Sequence, residues 1–136
     1  MTVEVGTSLP TLRVEVDGQR MKTMAALLRD PNPIHWDTDA VRALGMGDRP
    51  VNQGPTNVAY VVNLLLAWSG GDPAAVRRVS VRFRGNVFAG DVLTAGGTVL
   101  AVEVVDGRVV ATCEVWLDRA DGDRVVAGTA EVTLPG

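Results

Sequence analysis

One short segment of this 136-residue chain concentrates the side chains that could do chemistry. It reads Asp30-Pro31-Asn32-Pro33-Ile34-His35, and His35 is the only histidine of the sequence. Two prolines within three residues restrict the backbone and remove two N–H donors, so the segment is predicted to be a stiff, non-helical loop. Such a loop can hold a carboxylate and an imidazole at a reproducible distance. When both face one water molecule, they form a general acid–base pair.

The same residues allow a purely structural interpretation. Asp30 can cap a helix that has Pro31 at its first position, and Asn32 can form an Asx turn. His35 would then be a packed histidine without a chemical role. Physical reasoning on the residues alone leaves both interpretations open.

Most other chemistries lack the residues that they require. A three-ligand zinc site is not expected, because the chain has one histidine and Cys113 lies on the apolar face of a predicted strand. Gly45-Met46-Gly47 begins a dinucleotide fingerprint, but Pro50 stands where the third glycine belongs. A GxSxG nucleophile elbow and a phosphate-binding glycine–lysine loop are both missing, and Lys22 is the single lysine. We therefore expect no metal and no cofactor.

Length, composition and charge narrow the class of protein. The chain is 46% hydrophobic and 21% charged, which is typical of a folded globular protein, and its length predicts a single domain over residues 1–136. A net charge of −3 argues against nucleic acid as a partner. Its longest apolar run is shorter than the ~20 residues that span a bilayer. The start of the sequence does not resemble a secretion signal, and a cytoplasmic protein without membrane contact is expected.

The second half of the sequence predicts β-strands. Apolar and polar residues alternate in four runs near positions 79–84, 92–105, 109–118 and 126–134. Asp106-Gly107 and Asp121-Gly122 are typical hairpin turns, because both residue types tolerate positive φ. A bulge or bend is expected at Gly96-Gly97, where the alternation breaks. We predict an antiparallel meander of four strands.

The first half predicts helices around one long central helix. A short opening strand at Leu12–Val16 is followed by helices over Met21–Arg29 and Asp39–Leu44, the latter capped by Asp37 or Thr38 and ended by Gly45. The stretch Thr56–Trp68 is apolar nearly all round, so that a single sheet would leave part of it exposed. Its polar stripe consists of Asn57, Tyr60 and Asn63. A buried helix on an antiparallel sheet is an α+β fold.

Several motifs resemble those of the MaoC-like, (R)-specific enoyl-CoA hydratases and related hydroxyacyl dehydratases. The pattern Asp30-x-Asn32-Pro33-Ile34-His35-x-Asp37 resembles the signature of that family. Pro50-Val51-Asn52-Gln53-Gly54 resembles the entry to its central helix, with Gln53 in place of the usual histidine. Val87-Phe88-Ala89-Gly90-Asp91 resembles its V-x-x-G-D turn. The likeness covers most of the chain.

The resemblance implies a single hotdog domain, in which an antiparallel sheet wraps a long helix. It implies that Asp30 and His35 are catalytic and act through one water molecule. The reaction would be the (R)-specific hydration of a 2-enoyl thioester to a 3-hydroxyacyl thioester, or the reverse dehydration. Coenzyme A or an acyl carrier protein would then be part of the substrate, not a cofactor.

Further residues are expected to bind the thioester. The backbone N–H of Gly54, at the entrance to the central helix, is the candidate donor to the thioester oxygen, although a simple turn glycine is the alternative. Asn32 and Gln53 are assigned to the same region, Asn32 either as a thioester ligand or as a brace of the loop. Arg82 and Arg84 are possible contacts for the phosphates of coenzyme A, or part of a solvated strand face.

The resemblance is compatible with more than one assembly and more than one function. The chain resembles small family members that pair with a second hotdog chain, so a homodimer and a heteromer are both expected forms. A partner subunit with little activity alone is therefore one alternative function. The other is a hotdog acyl thioesterase, which commonly places an acidic residue on the central helix, where Thr56–Trp68 has none.

Overall fold

The computed structural model describes residues 2–136, which form one five-stranded sheet and three α-helices. In chain order the elements are β1 Leu12–Glu15, α1 Gly18–Leu28, α2 Thr38–Ala43, α3 Gly54–Trp68, β2 Val76–Phe83, β3 Val92–Val105, β4 Arg108–Arg119 and β5 Arg124–Thr133. The predicted α+β class is confirmed. Asp37 caps α2 and Gly45 follows it with a φ of 68°, as predicted. Helix α1 begins earlier than predicted, because the Asp17 side chain accepts the N–H of Gln19 at 2.8 Å and caps it there.

The strands are antiparallel and lie in the order β1-β3-β4-β5-β2. Strands β3, β4 and β5 form the predicted meander, and Asp106 and Gly107 both have positive φ in its first turn. The prediction of a four-strand meander is wrong for β2, which pairs with β5 and not with the next strand along the chain. Alternation of apolar residues shows which side chains share a face, but it does not specify which strands are neighbours.

The predicted break at Gly96-Gly97 is also wrong. Pairing with β4 runs in register through both glycines, and the irregularity lies between Val99 and Ala101. A Cβ on Gly97 would lie 2.6 Å from the carbonyl oxygen of Glu114, and one on Gly96 would lie 2.7 Å from the indole Nε1 of Trp116. Gly97 therefore permits a close approach of the β4 backbone, Gly96 leaves room for the Trp116 indole, and neither marks a bulge.

Helix α3 packs its buried residues against one face of the sheet. It contributes Val61, Leu64 and Leu65 to the hydrophobic core. The inward residues of β4 match the predicted apolar face and belong to the same core: Ala111, Cys113, Val115 and Leu117. The helix begins at Gly54, two residues before the predicted start, with Pro55 in its first turn.

Apolar side chains are exposed at several places in the fold. Val58, Val62 and Leu66 of α3 are half-buried, and the most exposed large apolar side chains belong to other elements. Phe83 continues the predicted apolar alternation of residues 79–84, but it is 55% exposed at the end of the edge strand β2. The other large exposed apolar side chains include Leu27 and Leu28 of α1, Trp36, and Leu100 and Val104 of β3. The unpartnered apolar surface is therefore spread over the end of α1, the β2 edge and the far end of β3.

Candidate active site

The structure brings Asp30 and His35 into direct contact. The Asp30 Oδ2 lies 3.0 Å from the His35 Nε2. The His35 side chain is 8% exposed, and the Asp30 side chain is 31% exposed. On its other side, the His35 Nδ1 lies 2.6 Å from the carbonyl oxygen of Val51, to which it donates. Both ring nitrogens of His35 therefore have a fixed partner.

These contacts determine which nitrogen can exchange a proton. Because the Val51 carbonyl can only accept, the His35 Nδ1 carries a hydrogen, and Nε2 is the nitrogen free to gain or lose one. An Nε2 without a hydrogen and an ionised carboxylate are both acceptors. The contact between the His35 Nε2 and the Asp30 Oδ2 is therefore a hydrogen bond only when one of the two atoms carries a proton. A partly exposed pair that holds one mobile proton can act as a general acid and a general base.

The end of α1 directs Asp30 towards His35. Arg29 has a left-handed backbone with a φ of 51°, and its N–H donates to the Ala26 carbonyl at 3.2 Å. The N–H of Asp30 donates to the Ala25 carbonyl at 3.0 Å. Together these two bonds form a Schellman turn, which ends the helix and turns the chain out of its axis.

Side-chain caps then shape the loop between Asp30 and His35. The Asp30 Oδ1 accepts the N–H of Asn32 at 3.0 Å, and the Asn32 Oδ1 accepts the N–H of Ile34 at 3.2 Å. Asn32 thereby starts a short 3₁₀ turn over Pro33–His35. The predicted Asx turn at Asn32 and the contact of Asp30 with His35 are thus both present. The predicted helix with Asp30 as its cap and Pro31 at its first position is wrong, because Asn32 caps the short turn and Pro33 is its first residue. Asn32 braces the loop, and its role as a thioester ligand stays a prediction.

Residues 50–54 connect this loop to α3. The N–H of Val51 donates to the Ile34 carbonyl at 2.8 Å, and the N–H of Asn52 donates to the Val87 carbonyl at 2.7 Å. Val51 therefore fixes the 3₁₀ turn through its N–H and the His35 ring through its carbonyl. The sequence carried no signal for this role of Val51, because both contacts use its backbone.

Gly54 is the first residue of α3, next to the ring of Phe83. A Cβ at Gly54 would lie 3.2 Å from the Phe83 Cζ, so a larger residue would press on the ring. No acceptor for the Gly54 N–H is found in the described part of the chain, and the following Pro55 has no N–H. A free donor at the start of a long helix fits the predicted contact with a thioester oxygen, which stays a prediction.

Gln53 is buried, with 1% of its surface exposed. Its Nε2 donates to the Met21 carbonyl of α1 at 2.8 Å, and its Oε1 has no hydrogen-bond partner. The donor group of the Gln53 side chain is therefore already used, and the remaining atom is an acceptor. An acceptor does not stabilise a thioester oxygen that becomes negative, so the Gln53 side chain offers that oxygen no free donor in this arrangement. A contact between Gln53 and the substrate stays a prediction.

Two of the predicted contacts, Arg82 and Arg84, belong to a pocket that includes neither Asp30 nor His35. Arg82 and Arg84 line a shallow pocket with Glu114 and Thr129, on the face of the sheet opposite to α3. Their contact with coenzyme A stays a prediction. A groove that reaches Asp30 itself is lined by Lys22 and Trp36, which sequence reasoning did not single out.

The polar stripe of α3 divides into two parts. The Asn57 side chain is buried and accepts from the Asn52 Nδ2 at 2.8 Å, and the Tyr60 hydroxyl lies 3.3 Å from the same nitrogen. Asn63 is exposed and borders a small cavity between α1 and α3. Asn57 and Tyr60 therefore hold the segment that precedes Gly54.

The described residues contain neither a metal-binding cluster nor a membrane-spanning helix. Within residues 2–136, no group of three or more His, Cys, Asp and Glu side chains is placed to hold a metal ion. None of the helices in that part of the chain is long and apolar enough to cross a membrane.

Comparison with known proteins identifies the family. The family described as "MaoC like domain" matches residues 2–118. The chain belongs to this family. No significant match is found among curated protein sequences.

Several solved structures share the fold. The (R)-hydratase from A. caviae, involved in PHA biosynthesis, has a TM-score of 0.85 at 28% identity over 98% of both chains. A chain of the ChsH1-ChsH2 complex from Mycobacterium tuberculosis has a TM-score of 0.81 at 27% identity, over 99% of this chain and 100% of that chain. The MaoC-like dehydratase from Rhodospirillum rubrum has a TM-score of 0.79 at 25% identity, over 97% of this chain and 92% of that chain.

These findings confirm the predicted hotdog fold. At the level of the family, they support a hydratase or dehydratase. The loop that carries Asp30 and His35, the segment around Val51 and the start of α3 all lie within the matched region.

Proposed function

We propose that this MaoC-like protein adds water to 2-enoyl thioesters, or removes it from 3-hydroxyacyl thioesters, with (R) stereochemistry. The observation that carries the proposal is the contact of the Asp30 Oδ2 with the His35 Nε2, 3.0 Å apart on a braced loop. Membership of the family supports hydratase or dehydratase chemistry. The (R) stereochemistry is inferred from the likeness to the A. caviae enzyme, which is named an (R)-hydratase.

Asp30 and His35 supply the two proton transfers that hydration requires. A water bound by the pair loses a proton and attacks C3 of the enoyl group, while the double-bond electrons move towards the thioester oxygen. The pair then delivers a proton to C2, so that one water is added in all. Because the Nδ1 hydrogen is held by Val51, His35 takes part through Nε2. Both residues are catalytic, and either can perform the first transfer.

Gly54 provides the donor for the negative charge that develops on the thioester oxygen. Its N–H lies in the first turn of α3, where the helix dipole is positive and favours an anion. Without a side chain at this position, a substrate can approach the backbone closely. A fixed donor costs no reorganisation during the reaction, and one such donor contributes about 10²–10³ in rate.

The substrate is proposed to be an acyl thioester of coenzyme A or of an acyl carrier protein, with no separate cofactor. A second hotdog chain, identical or different, completes the acyl pocket beside the exposed edge of β2. The proposal is supported by the 55% exposure of Phe83 on that edge and by the likeness to a complex that consists of ChsH1 and ChsH2.

One observation supports the alternative that this chain is a partner subunit with little activity alone: the buried Gln53 stands in place of the family's usual histidine. A thioesterase is less well supported, because α3 contains no Asp or Glu that could activate water. The acid–base pair is intact, which favours an active enzyme over a subunit without catalysis.

Substitution of the acid–base pair tests the proposal. Asp30→Asn or His35→Ala should lower the turnover of a 2-enoyl-CoA by about 10²–10⁴, because each removes one proton-transfer group. The loss of enone absorbance measures the rate, and thermal unfolding measures stability. Asp39→Asn, an exposed carboxylate on α2, is the matched control and should leave both unchanged. Undiminished turnover in the two variants would contradict the assignment, and loss of stability in parallel with turnover would favour a structural role.

A further inference from the structure

We propose that Gln53 is a positioning residue, which sets the Gly54 N–H relative to the Asp30 carboxylate. This inference rests on the proposed function. Gln53 is the residue at which the first turn of α3 starts: its carbonyl accepts the N–H groups of Thr56 and Asn57, each at 3.1 Å. Its side chain meanwhile donates to the Met21 carbonyl of α1 at 2.8 Å. One residue therefore joins the start of α3 to α1.

Helix α1 links the residue that Gln53 contacts to Asp30. Met21 is 1% exposed and lies in the buried part of α1. At the other end of the same helix, the Ala25 carbonyl accepts the Asp30 N–H at 3.0 Å. A helix moves largely as a rigid body, so a shift of α1 relative to α3 changes the distance between the Asp30 carboxylate and the Gly54 N–H. The hydrogen bond from Gln53 opposes that shift.

The stability of the fold does not explain the choice of glutamine. The buried Oε1 of Gln53 has no partner in the described part of the chain, and a buried acceptor without a partner is destabilising. The Met21 carbonyl lies inside α1 and accepts a helical hydrogen bond in any case. An apolar residue of similar size would thus leave no group unpaired. A glutamine that leaves a buried acceptor without a protein partner, but connects two elements of the site, points to geometry as its role.

Gln53→Met is the decisive variant, because methionine keeps the size and removes the donor. We expect kcat on a 2-enoyl-CoA to fall by about 10- to 100-fold, since a misplacement of about 1 Å can lower a rate by 10². KM should stay within about twofold, and the melting temperature should be unchanged or higher. Gln53→His should restore most of the lost kcat, because an imidazole N–H can donate to the Met21 carbonyl.

Thr56→Val is the matched control. The Thr56 hydroxyl is the other buried group without a partner, it lies in the same turn of α3, and it makes no hydrogen bond to α1. This variant should leave kcat unchanged. Unchanged kcat in Gln53→Met would overturn the inference, as would a fall in kcat that follows a lower melting temperature. A raised KM with unchanged kcat would show instead that Gln53 touches the substrate. If the unaltered protein turned over no 2-enoyl thioester, the proposed function would fail first and this inference with it.

Discussion

His35 is held at both ring nitrogens, and this fixes its chemistry more firmly than the sequence motif does. The Val51 carbonyl oxygen accepts a hydrogen bond from the His35 Nδ1 at 2.6 Å, and the Asp30 Oδ2 lies 3.0 Å from the His35 Nε2. The motif predicts that the two side chains meet, because the loop between them is short and contains two prolines. It does not predict the partner of Nδ1, which is a backbone atom 16 residues away.

Cys113 gives a prediction at the same scale. Burial raises the pKa of its thiol from 9.0 to about 11. As the pH rises, the thiol therefore ionises in the unfolded chain before it ionises in the folded protein. The stability that the protonated thiol contributes to the folded state is complete below pH 9 and is lost as the pH rises to about 11. Over these two pH units the loss amounts to about 2–3 kcal/mol at most.

Urea unfolding at pH 8 and at pH 10.5 measures this effect. The unaltered protein should lose more stability between the two values than Cys113→Ala, which lacks the titrating group. Equal losses in both proteins would show that the thiol ionises equally easily in the folded and unfolded states.

The elements of the fold differ in how far the sequence predicts them. The inward face of β4 and the turn at Asp106-Gly107 depend on residues close together in the chain, and both are as predicted. The pairing of β2 with β5 joins residues that are about 50 positions apart, such as Val79 and Ala130, and no local pattern encodes it. The bond between Gln53 and Met21 escapes sequence reasoning for the same reason.

Gly128 tests the pairing of β2 with β5. A Cβ at this position would lie 2.0 Å from the Ser80 carbonyl oxygen and 2.7 Å from the Val81 Cα, and both atoms belong to the backbone of β2. Gly128→Ala should therefore lower the free energy of unfolding by about 2 kcal/mol or more, as overpacking does. Thr129→Val, an exposed neighbour on the same strand, should change it by less than about 0.5 kcal/mol. Chemical denaturation of both variants makes the comparison, and an equally stable Gly128→Ala would contradict the close approach of the strands.

At the scale of the whole molecule, the exposed apolar side chains favour pairing of two chains. Phe83 lies at the end of the edge strand β2, and Trp36 lies beside the groove that reaches Asp30. An edge strand presents unpaired backbone groups that a second chain can satisfy. We expect the purified protein to sediment as a dimer at micromolar concentration. A stable, active monomer would contradict the proposed completion of the acyl pocket by a second chain.

The most direct test of the account is the stereochemistry of hydration by the purified chain alone. The enzyme is incubated with crotonyl-CoA and with a longer 2-enoyl-CoA, and the product is separated on a chiral column. The account predicts a 3-hydroxyacyl-CoA of (R) configuration, formed at a rate that His35→Ala lowers by about 10²–10⁴. An (S) product, or hydration that proceeds equally well without His35, would contradict it.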